Sequence, residues 1–416
     1  MENMIKQFIQ NSSSINADTP IRFAIYFLFL AAVFDPIGDF FGARYFALGL
    51  IYLLLFLSLL LRPNNFKAKR IYWVTFSLFC IVIPGYGLMI SLFRGGLMSD
   101  FKDTSYIAAG VIFGSSLIYL KDNFFKTGIE ALIFALRCLS LAIVYTLIIY
   151  VGGFSLDSVY LFVEHGAAYF GEREYAGIGF YYLYFIASPM IIYLIAYEAW
   201  RFCDRPSLYG FALLALPVFA LFLSGTRANM LLAIISTPLV FLWRKFGIVI
   251  LLFIPVILFF LIILFKIYPV DLLDAMFSSV EYSNNIKLKL LEGYGVIFSD
   301  PINLLIGQGF NAHVWSAEFS QMVGGASKVE YTYIEMFRVF GVFIGFLFII
   351  FLVVFTFTLD KINIYYRWFA PAFFIYLLVS IANPYIFSTN GMLPIALMAA
   401  ILGQHIAYSH HSKLLD

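Results

Sequence analysis

The stretch SLYGFALLALPVFALFLSGTRANMLLAIISTPLVFLW, residues 207–243, decides the fold. Two apolar runs, 207–224 and 228–243, are parted only by a polar island centred on Ser224-Gly225-Thr226-Arg227. Apolar runs of about 17–25 residues are what crosses a bilayer's hydrocarbon core. Two of them joined by so short a turn read as a transmembrane helical hairpin with Arg227 at its tip. A guanidinium at the mouth of a spanning helix is costly, so it is a working residue by default.

The pattern repeats outward from this hairpin in both directions. About twelve spans are expected, at 20–36, 43–61, 71–93, 104–120, 128–151, 177–197, 207–224, 228–243, 247–267, 331–358, 367–383 and 390–408. Asp35-Pro36 interrupts the first. The whole chain, 62% hydrophobic and 12% charged, carries half the charge of an average soluble domain. It therefore reads as one all-α, polytopic membrane domain over residues 1–416. A net charge of +2 gives no footprint for nucleic acid. Residues 1–20 lack the basic start and apolar core of a cleavable signal, and read as an interfacial helix or a polar tail. Cys80, Cys138 and Cys203 form no disulfide framework, and the five histidines have no zinc-like spacing, so neither metal nor cofactor is expected.

Lysine and arginine set the orientation. They fill alternate loops: Arg62, Lys67, Lys69 and Arg70, then Lys121 and Lys126, Arg201 and Arg205, Arg244 and Lys245, Lys361 and Arg367. Those loops are expected in the cytoplasm, with both termini. The opposite face receives an acidic loop at 152–176 and a long loop at 268–330, between spans nine and ten. Loops this long usually either carry function or are disordered; the long one holds Tyr, Trp, Phe and several glycines and so can fold and pack, and any chemistry belongs on the outer face. Short helices are expected near 270–279 and 285–298 within the long loop.

Several outer-face residues suit a phosphorylated ligand. The fork of Arg227 fits phosphate oxygens two at a time, and the helix it opens adds free amides and a positive dipole end. A snorkelling arginine that meets lipid head groups is the plainer reading. Arg44 opens the second span, Arg94 ends the third, Arg173 lies in the acidic loop and Arg338 lies two turns inside the tenth span. Together they suit a diphosphate; singly, each also reads as a head-group contact or a local ion pair. The depth of Arg338 demands a partner, and Glu335 at i−3 is placed to be one. Glu330 and Glu335 flank the mouth of the tenth span, where an ionised carboxylate can take a proton from a sugar hydroxyl or simply stabilise the helix start. Gly307-Gln308-Gly309-Phe310 is a tight turn whose glycines admit a ligand or another helix; it lacks the Lys-Ser/Thr of a nucleotide loop. His313 follows it. Asn383 and Asn390 flank the last outer turn, and Arg137 needs a partner inside the bundle.

Taken together, Ser224-Gly225-Thr226-Arg227-Ala228, the element from Asp300-Pro301 to Ile306-Gly307-Gln308-Gly309-Phe310, and Glu330-Tyr331-Thr332-Tyr333-Ile334 followed by Gly341 resemble the superfamily of oligosaccharide-repeat polymerases and O-antigen ligases. The resemblance in motifs covers roughly 220–345; elsewhere it is topological. Ligases of that superfamily carry histidine and asparagine where this chain has Glu330 and Tyr331, which leans toward a polymerase.

The resemblance implies a GT-C-like architecture in a bacterial inner membrane. It implies a metal-independent glycosyltransferase whose donor and acceptor are undecaprenyl-diphosphate-linked glycans, with a chain-length regulator as a further partner. Glu330 would activate the acceptor hydroxyl. Arg227, Arg338, Arg173, Arg44 and Arg94 would hold the diphosphate, with Glu335, Tyr331 and His313 as further substrate contacts. The rival readings are an O-antigen ligase and a lipid-linked oligosaccharide flippase or transporter.

Overall fold

In a computed structural model, residues 18–36, 42–61, 77–95, 118, 124–153, 155, 157–175, 178–250, 282–310, 331–362, 366–383, 386 and 389–412 are described. The protein is mostly helical. Its helices are α1 Asp18–Phe34, α2 Ala43–Leu61, α3 Ile83–Phe93 (entered through a π-helical turn, Ser77–Val82), α4 Phe125–Val151 and α5 Asp157–Glu164. A two-stranded antiparallel hairpin follows, β1 Ala168–Tyr175 and β2 Ile178–Phe185. Then come α6 Ile191–Asp204, α7 Leu208–Leu223, α8 Arg227–Phe246, α9 Tyr282–Ser299, α10 Pro301–Ile306, α11 Thr332–Ile362, α12 Phe369–Val379 and α13 Thr389–Ser412. Among the described residues three helices, Phe125–Val151, Arg227–Phe246 and Thr332–Leu359, are long and apolar enough to cross a membrane. This is a membrane protein.

The helical hairpin at 207–243 forms as its sequence dictates. Ser207 caps α7 by accepting from the Gly210 amide, and Thr226 caps α8 by accepting from the Asn229 amide. The expected span at 177–197 does not form as one helix. Its first half is β2, and α6 begins only at Ile191. Ile178-Gly-Phe-Tyr-Tyr-Leu-Tyr-Phe185 is apolar on both faces and rich in aromatics, which favour strands. A short apolar run of this kind has no periodicity that separates strand from helix. The expected outer loop 152–176 is likewise structured, as α5 and β1. Leu183 and Phe185 are buried, and Tyr150 at the end of α4 meets Phe170 and Tyr181 edge-on, each with ring centroids 4.8 Å away. The hairpin is thereby riveted to the bundle.

Side-chain contacts fix which helix ends lie together. Arg244, near the end of α8, bonds the Trp200 carbonyl and Asp204 at the end of α6, so these two helices run parallel. Tyr193 early in α6 packs on Tyr376 late in α12, while Tyr197 packs on Trp368 just before α12, so α6 and α12 are antiparallel. The start of α11 closes on the end of α12, with Tyr333 donating to the Leu377 carbonyl at 2.7 Å and Thr332 to that of Asn383 at 2.6 Å. One end of the bundle thus holds the hairpin, the start of α8 and the start of α11. The other holds Arg201, Asp204, Arg244 and Trp368. Arg22, near the start of α1, lies over Phe124 at the head of α4, and Phe125 meets Tyr366 at that second end.

Of the two short helices expected in the 268–330 loop, the second forms as α9; the first, at 270–279, lies outside the described residues. So do nearly all of the expected spans 104–120 and 247–267.

Candidate functional site

Two clusters occupy the hairpin end. The first is built on the α7–α8 turn. Gly225 takes φ +72°, and a Cβ there would lie 2.3 Å from Tyr182 Cβ, so only glycine lets the hairpin press against this turn. Arg173 on β1 completes the closure: its Nη1 donates to the Gly225 carbonyl at 2.9 Å, and its guanidinium lies 4.9 Å from the Tyr182 ring centroid. Arg227 follows two residues later, half-buried in the first turn of α8. Ser224 and Asn229 fasten the turn from below, with Asn229 Nδ2 donating to Ser224 Oγ at 2.8 Å. Two arginines from distant parts of the sequence thus flank one backbone turn at a helix start, an arrangement suited to anionic oxygens.

The same strand face carries an aromatic row. The register pairs Tyr169 with Tyr184 and Gly171 with Tyr182. Tyr169 and Tyr184 stack with centroids 6.1 Å apart, and Gly171 leaves room for the Tyr182 ring to lie across it. Arg173 closes the row. On the opposite face Phe170 stacks on Tyr181. The charge of Glu172 foremost, with Tyr150 second, pushes the Tyr181 phenol above its usual range.

The second cluster is built on α11, which kinks at Gly341 (φ 74°, ψ 169°). A kink strips the preceding turn of carbonyl partners. The Gln308 and Gly309 amides supply them, donating to Arg338 O at 2.6 Å and Val339 O at 3.0 Å. The approach is backbone to backbone: a Cβ on Gly341 would lie 2.2 Å from Leu305 O, and one on Gly307 2.5 Å from Gly341 N. The Gly-Gln-Gly turn therefore serves the helix-docking role, its glycines meeting α11. α3 braces it from the far side, Tyr86 donating to Ile306 O and Ser91 to Phe310 O.

Within this cluster Arg338 is only 2% exposed. Its Nε and Nη2 clasp both oxygens of Glu335, and Nη1 donates to Gly309 O at 3.2 Å. The i−3 pairing read from sequence is what forms. Its donors being engaged inside the protein, Arg338 holds the Gly309 turn on α11. Tyr294 on α9, invisible to sequence reasoning because its partner is 41 residues away, donates to Glu335 Oε2 at 2.9 Å. Burial first, and the Glu335 charge second, drive the Tyr294 phenol far above its ordinary value, so it stays a donor. Tyr331 reaches back to the Lys287 carbonyl at 3.3 Å, fixing α9 to the mouth of α11.

Of the other expected residues, Arg94 ends α3 half-buried, three residues after Ser91. Arg44 falls in the first turn of α2. Glu330 and His313 lie outside the described residues. Arg137 finds its partner in buried Glu198 of α6, which also meets Arg201 at 3.5 Å. Among the described residues no group of three His, Cys, Asp or Glu side chains could hold a metal.

No protein-family model matches the chain, and no curated protein matches it.

Proposed function

We propose that the protein is a glycosyltransferase that polymerises undecaprenyl-diphosphate-linked oligosaccharide repeat units, as the motif resemblance implies. The observation that carries the reading is the meeting of Arg173 with the Gly225 carbonyl, which brings its guanidinium to the turn from which Arg227 opens α8, at the same end of the bundle as the mouth of α11. The positively charged opposite end, with Arg201, Arg244 and Arg367, fits the cytoplasmic side. The hairpin end then faces outward and both termini are cytoplasmic.

In this reading the donor's diphosphate sits at Arg227 and Arg173, and sugars next to it lie on the row of Tyr182, Tyr184 and Tyr169. The acceptor hydroxyl attacks the anomeric carbon of the donor's first sugar. A new glycosidic bond forms and the bond from that carbon to the diphosphate oxygen breaks. The hydroxyl proton passes to Glu330, and undecaprenyl diphosphate departs with the electron pair. The arginines stabilise the charge that grows on the leaving oxygen. Glu330 holds this role by motif position and by its place one residue before Tyr331 at the mouth of α11.

The test is the surface-glycan ladder from cells lacking the gene and complemented with Arg227→Ala or Glu330→Gln. Loss of the ladder with one repeat retained supports a polymerase. Loss of all decoration with lipid-linked polymer retained identifies the ligase reading instead, and a normal ladder in both variants defeats the proposal.

A further inference from the structure

The end of the bundle opposite Arg227 holds a cavity that the proposed reaction does not use. It measures about 480 Å³, a size typical of small-ligand sites. Arg201 from α6, Arg244 from α8 and Arg367 from the turn before α12 line it, with Trp200, Trp368 and Asp204. The arginines are held in place by neighbours. Arg244 is fixed by the Trp200 carbonyl at 2.7 Å and Asp204 at 2.6 Å, with its guanidinium 5.1 Å from the Trp200 ring centroid. Arg201 lies 5.5 Å from the Tyr197 ring centroid and 3.5 Å from Glu198.

The charge balance matters. Among the described residues, the guanidiniums of Arg201, Arg244 and Arg367 and the carboxylate of Asp204 line the cavity. Its other walls are the indoles of Trp200 and Trp368 and the phenol ring of Tyr197. Indole and phenol rings favour the membrane–water boundary, and guanidinium forks favour phosphate oxygens.

We infer that this cavity binds a phosphate group on an amphipathic or soluble ligand, the phosphodiester of an anionic phospholipid head group being the source its aromatic rim fits best. The site is independent of the transferase reading, since it lies at the other end of the bundle from Arg173 and Arg227.

The purified full chain in detergent tests this. Phosphatidylglycerol, phosphatidylcholine and inorganic pyrophosphate are added separately while the melting temperature is read, and native mass spectrometry counts retained lipid. Phosphatidylglycerol is expected to raise the melting temperature by about 5 °C, and phosphatidylcholine to leave it unchanged. Arg367→Gln and Arg201→Gln are each expected to weaken the effect about tenfold, as loss of one charge-assisted contact does. Lys245→Gln, at the same end but outside the cavity, leaves it intact. An equal rise with pyrophosphate, lost in the same two variants, assigns the phosphate to a soluble ligand. No rise with either, a rise that survives both arginine variants, or an equal loss in Lys245→Gln overturns the inference. Two separate arginine variants keep the test open should one fail to fold.

Discussion

Arg173 Nη1 bonds the Gly225 carbonyl across 2.9 Å, joining a β-strand to a helical turn 52 residues further along the chain. The bond brings Arg173 to the turn that ends two residues before Arg227, the first residue of α8. The strand that carries Arg173 exists only because β2 pairs with it, and β2 packs on the turn only because residue 225 has no side chain. The docking of the hairpin on this turn, and with it the site geometry, therefore depends on one glycine.

Gly225→Ala should damage the site through structure. Its φ of +72° is strained for any L side chain, and the added methyl would sit 2.3 Å from Tyr182 Cβ. We expect a loss of about 2–4 kcal/mol in stability, read as a lower melting temperature and reduced protein in the membrane. A variant that melts like the parent would mean that the hairpin does not press on the turn.

The Glu335–Arg338 pair should respond to single and double substitution in opposite ways. Glu335→Leu removes the carboxylate that Nε and Nη2 of buried Arg338 clasp, and Arg338→Met removes the guanidinium from Glu335 while Tyr294 still donates to it. Each single change should cost about 3–5 kcal/mol. The double variant Glu335→Leu with Arg338→Met removes both charges and should recover much of that loss. Additive losses in thermal unfolding would show that the ions are stabilised separately.

The long apolar helices were legible in advance. α2 forms over 43–61 and α4 ends at Val151, as their sequences predict, because a bilayer-length apolar run leaves the backbone little choice but to bond to itself. The Glu335–Arg338 bridge was legible because three residues on one helix are neighbours by geometry. The hairpin was not, since Phe180 to Phe185 satisfies strand and buried-helix patterns alike. Nor were the partners of Arg137 and Glu335. Glu198 and Tyr294 lie 61 and 41 residues away, and nothing local marks either as a neighbour.

Tyr294→Phe carries a pH signature. The Tyr294 phenol is 2% exposed, and its pKa is raised from the ordinary 10.0 by burial and by the Glu335 carboxylate. A raised folded-state value means that the stability it supplies is complete below pH 10 and declines as pH rises above it, where the unfolded phenol ionises first. Below pH 9 the parent should exceed the variant by about 1.5–3 kcal/mol, the worth of a bond to a charged acceptor. Above pH 10 the gap should narrow, because only the parent loses stability to this ionisation. A gap that stays constant across pH 8–11 in chemical denaturation would place the Tyr294 hydroxyl in water.

If Arg173 and Arg227 grip one diphosphate, their losses should not add. We expect Arg173→Ala and Arg227→Ala each to slow incorporation of lipid-linked repeat units by about 10²–10³-fold, on the scale of removing one preorganised donor. The double variant should fall well short of the product of the two, because the second guanidinium acts fully only when the first has fixed the substrate; coupling of more than about 1 kcal/mol is the expected mark of residues sharing one ligand. Arg173→Lys should stay near the alanine value, since an ammonium cannot bond the Gly225 carbonyl and offer a planar fork at once. The assay is repeat-unit incorporation by membranes holding equal amounts of each variant. Strictly multiplicative losses would separate the two arginines into different sites, and with them would go the reading of the α7–α8 turn as a diphosphate cradle.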